Sequence, residues 1–225
     1  DGFLHAYSNG SDPSKVLEQI GSWFGVIHTS VKPHACCRYM QPPIDAVLKI
    51  VKENDLQPDR VEKIRLGLLR AGSHLIAEPI ESKYSPQSIV DAQFSMPFGA
   101  AVALLYRKAG LDEFQLSKIK SEKVKQAMRL VECVVDPELD KTFPRQWGAT
   151  AEILTREGKK YFARVDYCKG DPENPLSWDE LIEKFNGLSH RGMTKERRLK
   201  VVEGVKCLEK VRDFKKWSSL LSRNR

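Results

Sequence analysis

The chain has 225 residues, of which 41% are apolar, enough to bury one good core or two small ones. No apolar run approaches the roughly 18 residues of a membrane span, and the first residues lack the basic and apolar pattern of a targeting signal. The sequence therefore predicts a folded, soluble protein of one or two domains. Because it begins with Asp1 rather than methionine, we expect it to be a piece of a longer protein.

The net charge of +7 is concentrated in one segment. Residues 176–225 contain 13 Lys and Arg against 7 Asp and Glu, so this tail carries +6. A basic tail can bind nucleic acid, but this one has no recognisable binding motif, which favours a solvated helical face. Five cysteines, two of them adjacent, make a poor disulfide framework and favour a reducing, cytoplasmic location.

The residues before the first reactive stretch predict a short helix and an extended segment. The Ser-Asp-Pro motif at 11–13 forms a helix start, and the helix is expected to end at Gly21. The stretch 23–31 is aromatic and β-branched without helical spacing, so we interpret it as extended. It leads directly to Lys32.

Residues 29–47, TSVKPHACCRYMQPPIDAV, place a lysine, a histidine, two cysteines and an arginine just before a helix. Pro42 and Pro43 preset the first helical turn, and apolar residues then recur at helical spacing to an end near Asn54. A cation at the approach to a helix suits an anionic ligand. The adjacent cysteines do not match the usual spacing of zinc or iron–sulfur ligands, so we predict no metal and no other cofactor.

On the residues alone, this stretch has more than one interpretation. Lys32 is either an anion-binding group or an ordinary surface lysine. His34 and Cys37 could form a nucleophilic pair, which requires a lowered thiol pKa. A buried cysteine is, however, a common packing residue.

A strand is predicted over 61–68, and the Gly-Ser pair at 72–73 is expected to loosen the chain after it. The polar loop ESKYSPQS at 81–88 follows. It places Tyr84 beside Lys83, where a phenol next to a cation could donate a proton, although exposed loop tyrosines are usually inert.

The residues after this loop predict a helix that stops at Gly110. Ser85 or Ser88 can cap its start, and Pro97 predicts a kink or a break. The small residues at 99–103 imply close packing against another element.

The next part of the chain changes from helix to strand. Residues 121–131 predict a helix and 132–136 are β-branched. Apolar residues then alternate along 149–153 and 161–167 on either side of Gly158, which indicates a β-hairpin. The sheet is therefore at least partly antiparallel, and the fold class is α+β.

The segment GDPENPLS at 170–177 is the best candidate for a domain boundary, because prolines, a glycine and acidic residues crowd into it. Ser177 and Glu180 predict a capping box for one helix, and Thr194 begins a last long helix. The expected inward positions of these two helices are Trp178, Leu181, Ile182 and Phe185, and Val201, Val205, Leu208 and Val211.

Three ordered blocks resemble the MmgE/PrpD family, which includes 2-methylcitrate dehydratase, cis-aconitate decarboxylase and iminodisuccinate epimerase. The blocks are TSVKPHACCRYMQPPIDA, YSPQSIVDAQFSMPFGAAVALL and GDPENPLSWDELIEKFNGL. The resemblance covers nearly the whole chain except about the first ten residues, and it corresponds to the C-terminal half of the family.

The resemblance implies a division of the chain into three parts. Residues 1–29 would join from an N-terminal helical domain outside this sequence, 30–175 would form an α+β lid domain, and 176–225 would return to the helical domain. The active site would lie between lid and helical domain, and the whole protein would be a homodimer formed through the helical domain.

The resemblance also implies roles for individual residues. Lys32 matches a lysine that binds a substrate carboxylate and takes part in catalysis, and Tyr84 matches an active-site tyrosine. Cys37 lies where the decarboxylase branch has a histidine, and this departure argues against decarboxylation. From the composition of these two stretches as well as the resemblance, we expect the substrate-binding positions to be Lys32, His34, Cys37, Arg38 and Lys83.

The function that follows is the lid part of a lyase resembling 2-methylcitrate dehydratase, which acts on a small di- or tricarboxylate by cofactor-free acid–base chemistry. An epimerase or decarboxylase of the same family is the alternative. A hypothesis of a different class is a basic module that binds nucleic acid or protein through the tail. We expect the enzyme, with neither nucleic acid nor membrane as a partner.

Overall fold

The computed structural model describes residues 2–10 and 12–222 and has the predicted α+β fold. The strands are β1 (Val61–Leu68), β2 (Val131–Val135), β3 (Ala149–Thr155) and β4 (Lys160–Val165). The helices are α1 (Phe3–Tyr7), α2 (Gln41–Glu53), α3 (Arg70–Ile76), α4 (Ile80–Lys83), α5 (Ile89–Gln93), α6 (Met96–Tyr106), α7 (Leu116–Ile119), α8 (Glu122–Met128), α9 (Pro137–Asp140), α10 (Trp178–Ser189), α11 (Lys195–Lys206) and α12 (Phe214–Ser218).

The four strands form one mixed sheet in the order β2-β1-β3-β4. β1 runs parallel to β2, with Ile64 opposite Val131, and antiparallel to β3, with Ile64 opposite Ile153. β3 and β4 form the predicted hairpin, which turns through Gly158 at a φ of +81°. The partly antiparallel sheet is therefore confirmed.

Helices cover one face of the sheet. The core lies between this face and α2, α6 and α8. The small residues of α6 permit the predicted close packing, because a Cβ on Gly99 would lie 2.7 Å from Cε of Met40 on the approach to α2. The other face carries charged residues, including the ion pair of Lys63 and Glu132.

The predicted elements between β1 and β2 need two corrections, and one prediction there is confirmed. Residues 72–73 do not loosen the chain but are buried in α3, where Gly72 lies against the ring of Tyr39. The break predicted at Pro97 is confirmed, because two helices precede Gly110 and Pro97 stands in the first turn of the second, α6. Val131 is the first residue of β2 rather than the end of a helix, since it pairs with β1.

The caps of α5 and α6 explain that division. Ser88 caps α5 in a capping box with Asp91, and Ser95 caps α6 through the amide of Phe98. α6 ends at Arg107, which takes a left-handed φ of +54°, before Gly110 is reached.

The terminal segments are less helical than predicted. In place of a helix after 11–13 there is a 3-10 turn, Pro13–Leu17, capped by Asp12; Ser11 lies outside the described residues. The segment expected to be extended contains another 3-10 turn, Gly25–His28. No described helix is long and apolar enough to cross a membrane.

The last long helix is also shorter than predicted. The capping box of Ser177 and Glu180 at α10 is confirmed, but α11 stops at Lys206. Val201 is buried as expected, whereas Val205 is exposed and Leu208 and Val211 lie beyond the helix. Trp217 of α12 instead packs directly on Gly204 of α11.

The N-terminal segment and α10 expose apolar side chains. Trp23, Phe24 and Ile27 are each more than half exposed, at 57%, 59% and 68%. On α10, Trp178 is 53% exposed, and no residue of this helix is fully buried. Contacts between α10 and the rest of the chain include ion pairs such as that of Lys108 and Glu183.

Candidate functional site

A cleft of about 1360 Å³ lies beside α10, which lines it together with earlier parts of the chain. Its walls are the loop 32–37, one side of α2 from Asp45 to Lys52, the residues after α6, and the segment from the end of β4 to Asn174. The loop that the sequence marked as reactive therefore forms part of the wall of this cleft.

Two lysines, Lys32 and Lys184, line this cleft. The Lys32 ammonium donates to the carbonyl of Cys36 at 3.1 Å, and the Lys184 ammonium donates to the carbonyl of Lys32. Neither forms an ion pair within residues 2–10 and 12–222. Partial burial and the charge of Lys32 together lower the pKa of Lys184. Two close, unneutralised cations are a suitable site for an anion.

A histidine–aspartate pair lies in the same cleft. The Nε2 atom of His34 is 2.8 Å from Oδ1 of Asp45, and the two side chains are only 9% and 15% exposed. The backbone amide of Lys169 donates to the other oxygen of Asp45 at 2.7 Å. Asp45 therefore joins α2, the reactive loop and the segment after β4.

A buried glutamine holds the loop in shape. Gln41 is fully buried at the start of α2. Its carbonyl oxygen accepts from the amide of His34, and its amide nitrogen donates to the carbonyls of His34, Cys36 and Cys37. This network fixes the backbone of the loop from His34 to Cys37, because buried polar groups need their partners.

Two hydrogen bonds attach the start of the loop to the segment after β4. The amide of Val31 donates to the carbonyl of Gly170 at 2.8 Å, and the hydroxyl of Ser30 donates to Asp171 at 2.7 Å. Gly170 has a φ of +90°, and a Cβ there would lie 1.9 Å from the carbonyl oxygen of Val31. Only glycine fits this approach.

Arg38 is engaged by protein groups rather than by the cleft. Its guanidinium donates to both oxygens of Asp171, at 2.7 and 2.9 Å, and to the sulfur of Cys168. It also stacks over the Trp147 ring, 5.2 Å from the centroid. Arg38 does not line the cleft.

All five cysteines are free thiols. Burial is the main cause that raises the pKa of Cys36 well above its ordinary value, and it raises the pKa values of Cys133 and Cys168 to about 12. These three are therefore thiols at neutral pH and poor nucleophiles. Cys37 is partly exposed and lines the cleft.

Tyr84 and Lys83 lie outside the cleft. The Tyr84 hydroxyl donates to the carbonyl of Val131 at 2.5 Å, and burial raises its pKa, with smaller contributions from Cys133 and Glu132. The Lys83 ammonium donates to the carbonyl of Leu75 at 2.6 Å.

The structure thus brings Lys32, His34 and Cys37 together and separates them from the other assigned positions. Their roles, and those of Tyr84, Lys83 and Arg38, stay predictions. Sequence reasoning missed Asp45 and Lys184. Asp45 follows His34 by eleven residues, across a loop, and Lys184 is more than 150 residues from Lys32. Nothing in local spacing could have linked them.

Comparisons with known proteins give the family. The model of the MmgE/PrpD C-terminal domain matches residues 34–210. The cis-aconitate decarboxylase-like protein oryM of Aspergillus oryzae is 25% identical over 234 aligned positions, which cover 98% of this chain and 47% of that protein. The chain therefore spans about half the length of this curated relative. Since the family model matches well over half of the sequence, the chain belongs to the MmgE/PrpD family and carries its C-terminal domain.

Proposed function

We propose that the chain is the lid part of a lyase of the 2-methylcitrate dehydratase type, which binds a small di- or tricarboxylate in the cleft. The observation that carries this proposal is the adjacent pair Lys32 and Lys184, two cations with no carboxylate partner among the described residues. A substrate carboxylate would supply the missing negative charge. Charge-assisted hydrogen bonds of this kind are among the strongest available to a protein.

The cation pair also suits the chemistry. A proton on a carbon next to a carboxylate is weakly acidic, and its removal leaves additional negative charge on that carboxylate. Lys32 would hold this charge in place, which stabilises the transition state more than the ground state. We propose acid–base chemistry without a cofactor for this step, and a homodimeric, cytoplasmic whole protein.

The choice among the reactions of the family depends on where the substrate lies. The name of the Aspergillus oryzae relative, cis-aconitate decarboxylase-like, favours decarboxylation. Cys37 favours the dehydratase, because it occupies the position at which the resemblance places a histidine in decarboxylases. We keep dehydration as the first proposal, with decarboxylation and epimerisation as its alternatives.

The test measures binding and turnover with 2-methylcitrate, citrate, cis-aconitate and iminodisuccinate. In the full-length protein, Lys32→Met should weaken binding of the preferred acid by on the order of 10- to 100-fold, since a hydrogen bond to a charged group contributes about 1.5–3 kcal/mol. Lys184→Met should weaken it as well. Lys123→Met, an exposed lysine on α8 away from the cleft, is the control and should change nothing. Equal affinities in all three variants would remove the cation pair from the site.

Binding should also depend on pH through Lys184. Its pKa is lowered by partial burial and by Lys32, and only the protonated amine attracts a carboxylate. Affinity should therefore be complete below that lowered pKa and should decline as the pH rises through it, earlier than for an ordinary lysine. Lys184→Arg should keep the affinity at alkaline pH, because arginine stays charged. Calorimetric titration of citrate across this range is the measurement, and identical pH profiles for both proteins would contradict the assignment.

A further inference from the structure

His34 has one ring nitrogen that is held and one that is free. Nε2 is 2.8 Å from Asp45, whereas Nδ1 has no hydrogen-bond partner in the described part of the chain. Nδ1 is also absent from the buried side-chain atoms without partners, of which the described residues contain one, Nε1 of Trp217. Nδ1 is therefore not sealed from solvent, and since His34 lines the cleft, its accessible nitrogen is available to a ligand there.

The surroundings favour a single tautomer. An ionised carboxylate is only an acceptor, so Nε2 carries the proton that is donated to Asp45. The second oxygen of Asp45 accepts from the Lys169 amide, which fixes the orientation of the carboxylate. In the neutral ring, Nδ1 then holds the lone pair. A neutral imidazole with one nitrogen fixed by a carboxylate and the other free is the arrangement of a general base.

A purely structural histidine is the alternative. It would be expected to satisfy both ring nitrogens within the protein, as buried polar groups generally do. His34 does so at one nitrogen only. Its backbone is independently fixed by Gln41, so the side chain is not needed to hold the loop.

We propose that His34 accepts a proton from the substrate and that Asp45 is its positioning residue, an inference that rests on the proposed function. The C–H bond beside a substrate carboxylate breaks, and the proton binds to Nδ1. The electron pair stays on the substrate and spreads into that carboxylate, beside Lys32. The imidazolium formed is balanced by Asp45, and return of the proton regenerates the neutral ring.

The main experiment follows exchange of substrate C–H hydrogen with deuterium oxide, catalysed by the full-length protein with citrate. His34→Gln should slow the exchange by about 100-fold or more, which is the usual contribution of general acid–base catalysis, with the KM for citrate changed by less than about threefold. His74→Gln is the matched control, because His74 forms an exposed pair with Glu78 away from the cleft. It should exchange at the original rate.

The role of Asp45 is tested by nitrogen-15 NMR of the imidazole in this chain. The unchanged protein should have the proton on Nε2. Asp45→Asn should move it toward Nδ1, because the amide can donate to Nε2, and should slow exchange in the full-length protein. Asp45→Glu should restore part of the protonation at Nε2 and part of the exchange rate. A proton on Nδ1 in the unchanged protein would overturn the proposal.

Binding of tricarballylate, a tricarboxylate without a hydroxyl group, separates the two levels of inference. If tricarballylate binds in a way that depends on Lys32, the proposed function stands. If, in the same protein, His34→Gln leaves hydrogen exchange unchanged or no exchange occurs, only the role of His34 is overturned. Absence of binding for tricarballylate and for the four acids overturns the proposed function and this inference with it. A His34 or Asp45 variant that binds tricarballylate as tightly as the unchanged protein does is taken to be folded. His34→Gln and Asp45→Asn alter the two different members of the pair. If only one of these variants folds, its exchange rate is still sufficient to test the role of His34.

Discussion

Gly170→Ala is expected to lower the free energy of unfolding by about 2–5 kcal/mol and to weaken carboxylate binding at Lys32. The added Cβ would lie 1.9 Å from the carbonyl oxygen of Val31, on a residue whose φ is +90°. The backbone must therefore move, and we expect this movement to break the hydrogen bond between the Val31 amide and the Gly170 carbonyl. That displaces the loop that presents Lys32.

Gly158→Ala is the matched control for this change. Gly158 also has a positive φ, of +81°, but a Cβ there would meet nothing within 4 Å. Gly158→Ala should lower the free energy of unfolding by only about 1–2 kcal/mol, the usual penalty for placing a side chain on a left-handed backbone conformation. It should leave citrate affinity unchanged. Urea denaturation gives the stabilities, and calorimetry gives the affinities. If Gly170→Ala and Gly158→Ala lose the same stability and bind citrate equally well, the contact between Gly170 and Val31 is not needed to position Lys32.

Much of the fold could be predicted because its signals are local. The hairpin of β3 and β4 follows from alternating residues around Gly158, and α2 follows from its paired prolines and apolar stripe. The errors arose where a distant partner decides the conformation. Val131 continues a helical pattern in sequence, yet it pairs with Ile64. Gly72 is of a residue type that usually loosens a chain, yet it is required for contact with Tyr39.

The candidate site was predictable only in its first half. The density of reactive residues around Lys32 and His34 is a local property of the sequence, and it is enough to identify the loop. Its partners Asp45 and Lys184 are ordinary charged residues on two helices, and they acquire a role only when α2 and α10 are placed beside the loop. Arg38 looked like a candidate for substrate binding, but its donors are engaged by Asp171 and Cys168, a contact across more than 100 residues.

The chain of 225 residues alone is expected to bind a polycarboxylate but not to turn it over. The cation pair and the His34–Asp45 pair lie within the described residues, so affinity for citrate should be retained. Turnover also requires an acid for the leaving group and walls that hold the substrate in position. The cleft opens to solvent, and the apolar surface of α10 and the N-terminal segment is exposed, as expected if another domain completes the site.

Correct positioning contributes roughly 7–11 kcal/mol to catalysis, so the chain should be at least about 10⁵-fold slower than the full-length protein. Its exposed apolar side chains should also cause self-association, measurable by analytical ultracentrifugation. The assay compares the chain, the full-length protein and the chain mixed with the separately expressed N-terminal half, with Lys32→Met as the control that weakens binding. Rapid turnover by the chain alone would show that the site is complete within these residues, and loss of citrate binding in the chain would show that Lys32 and Lys184 need the other half to form a site.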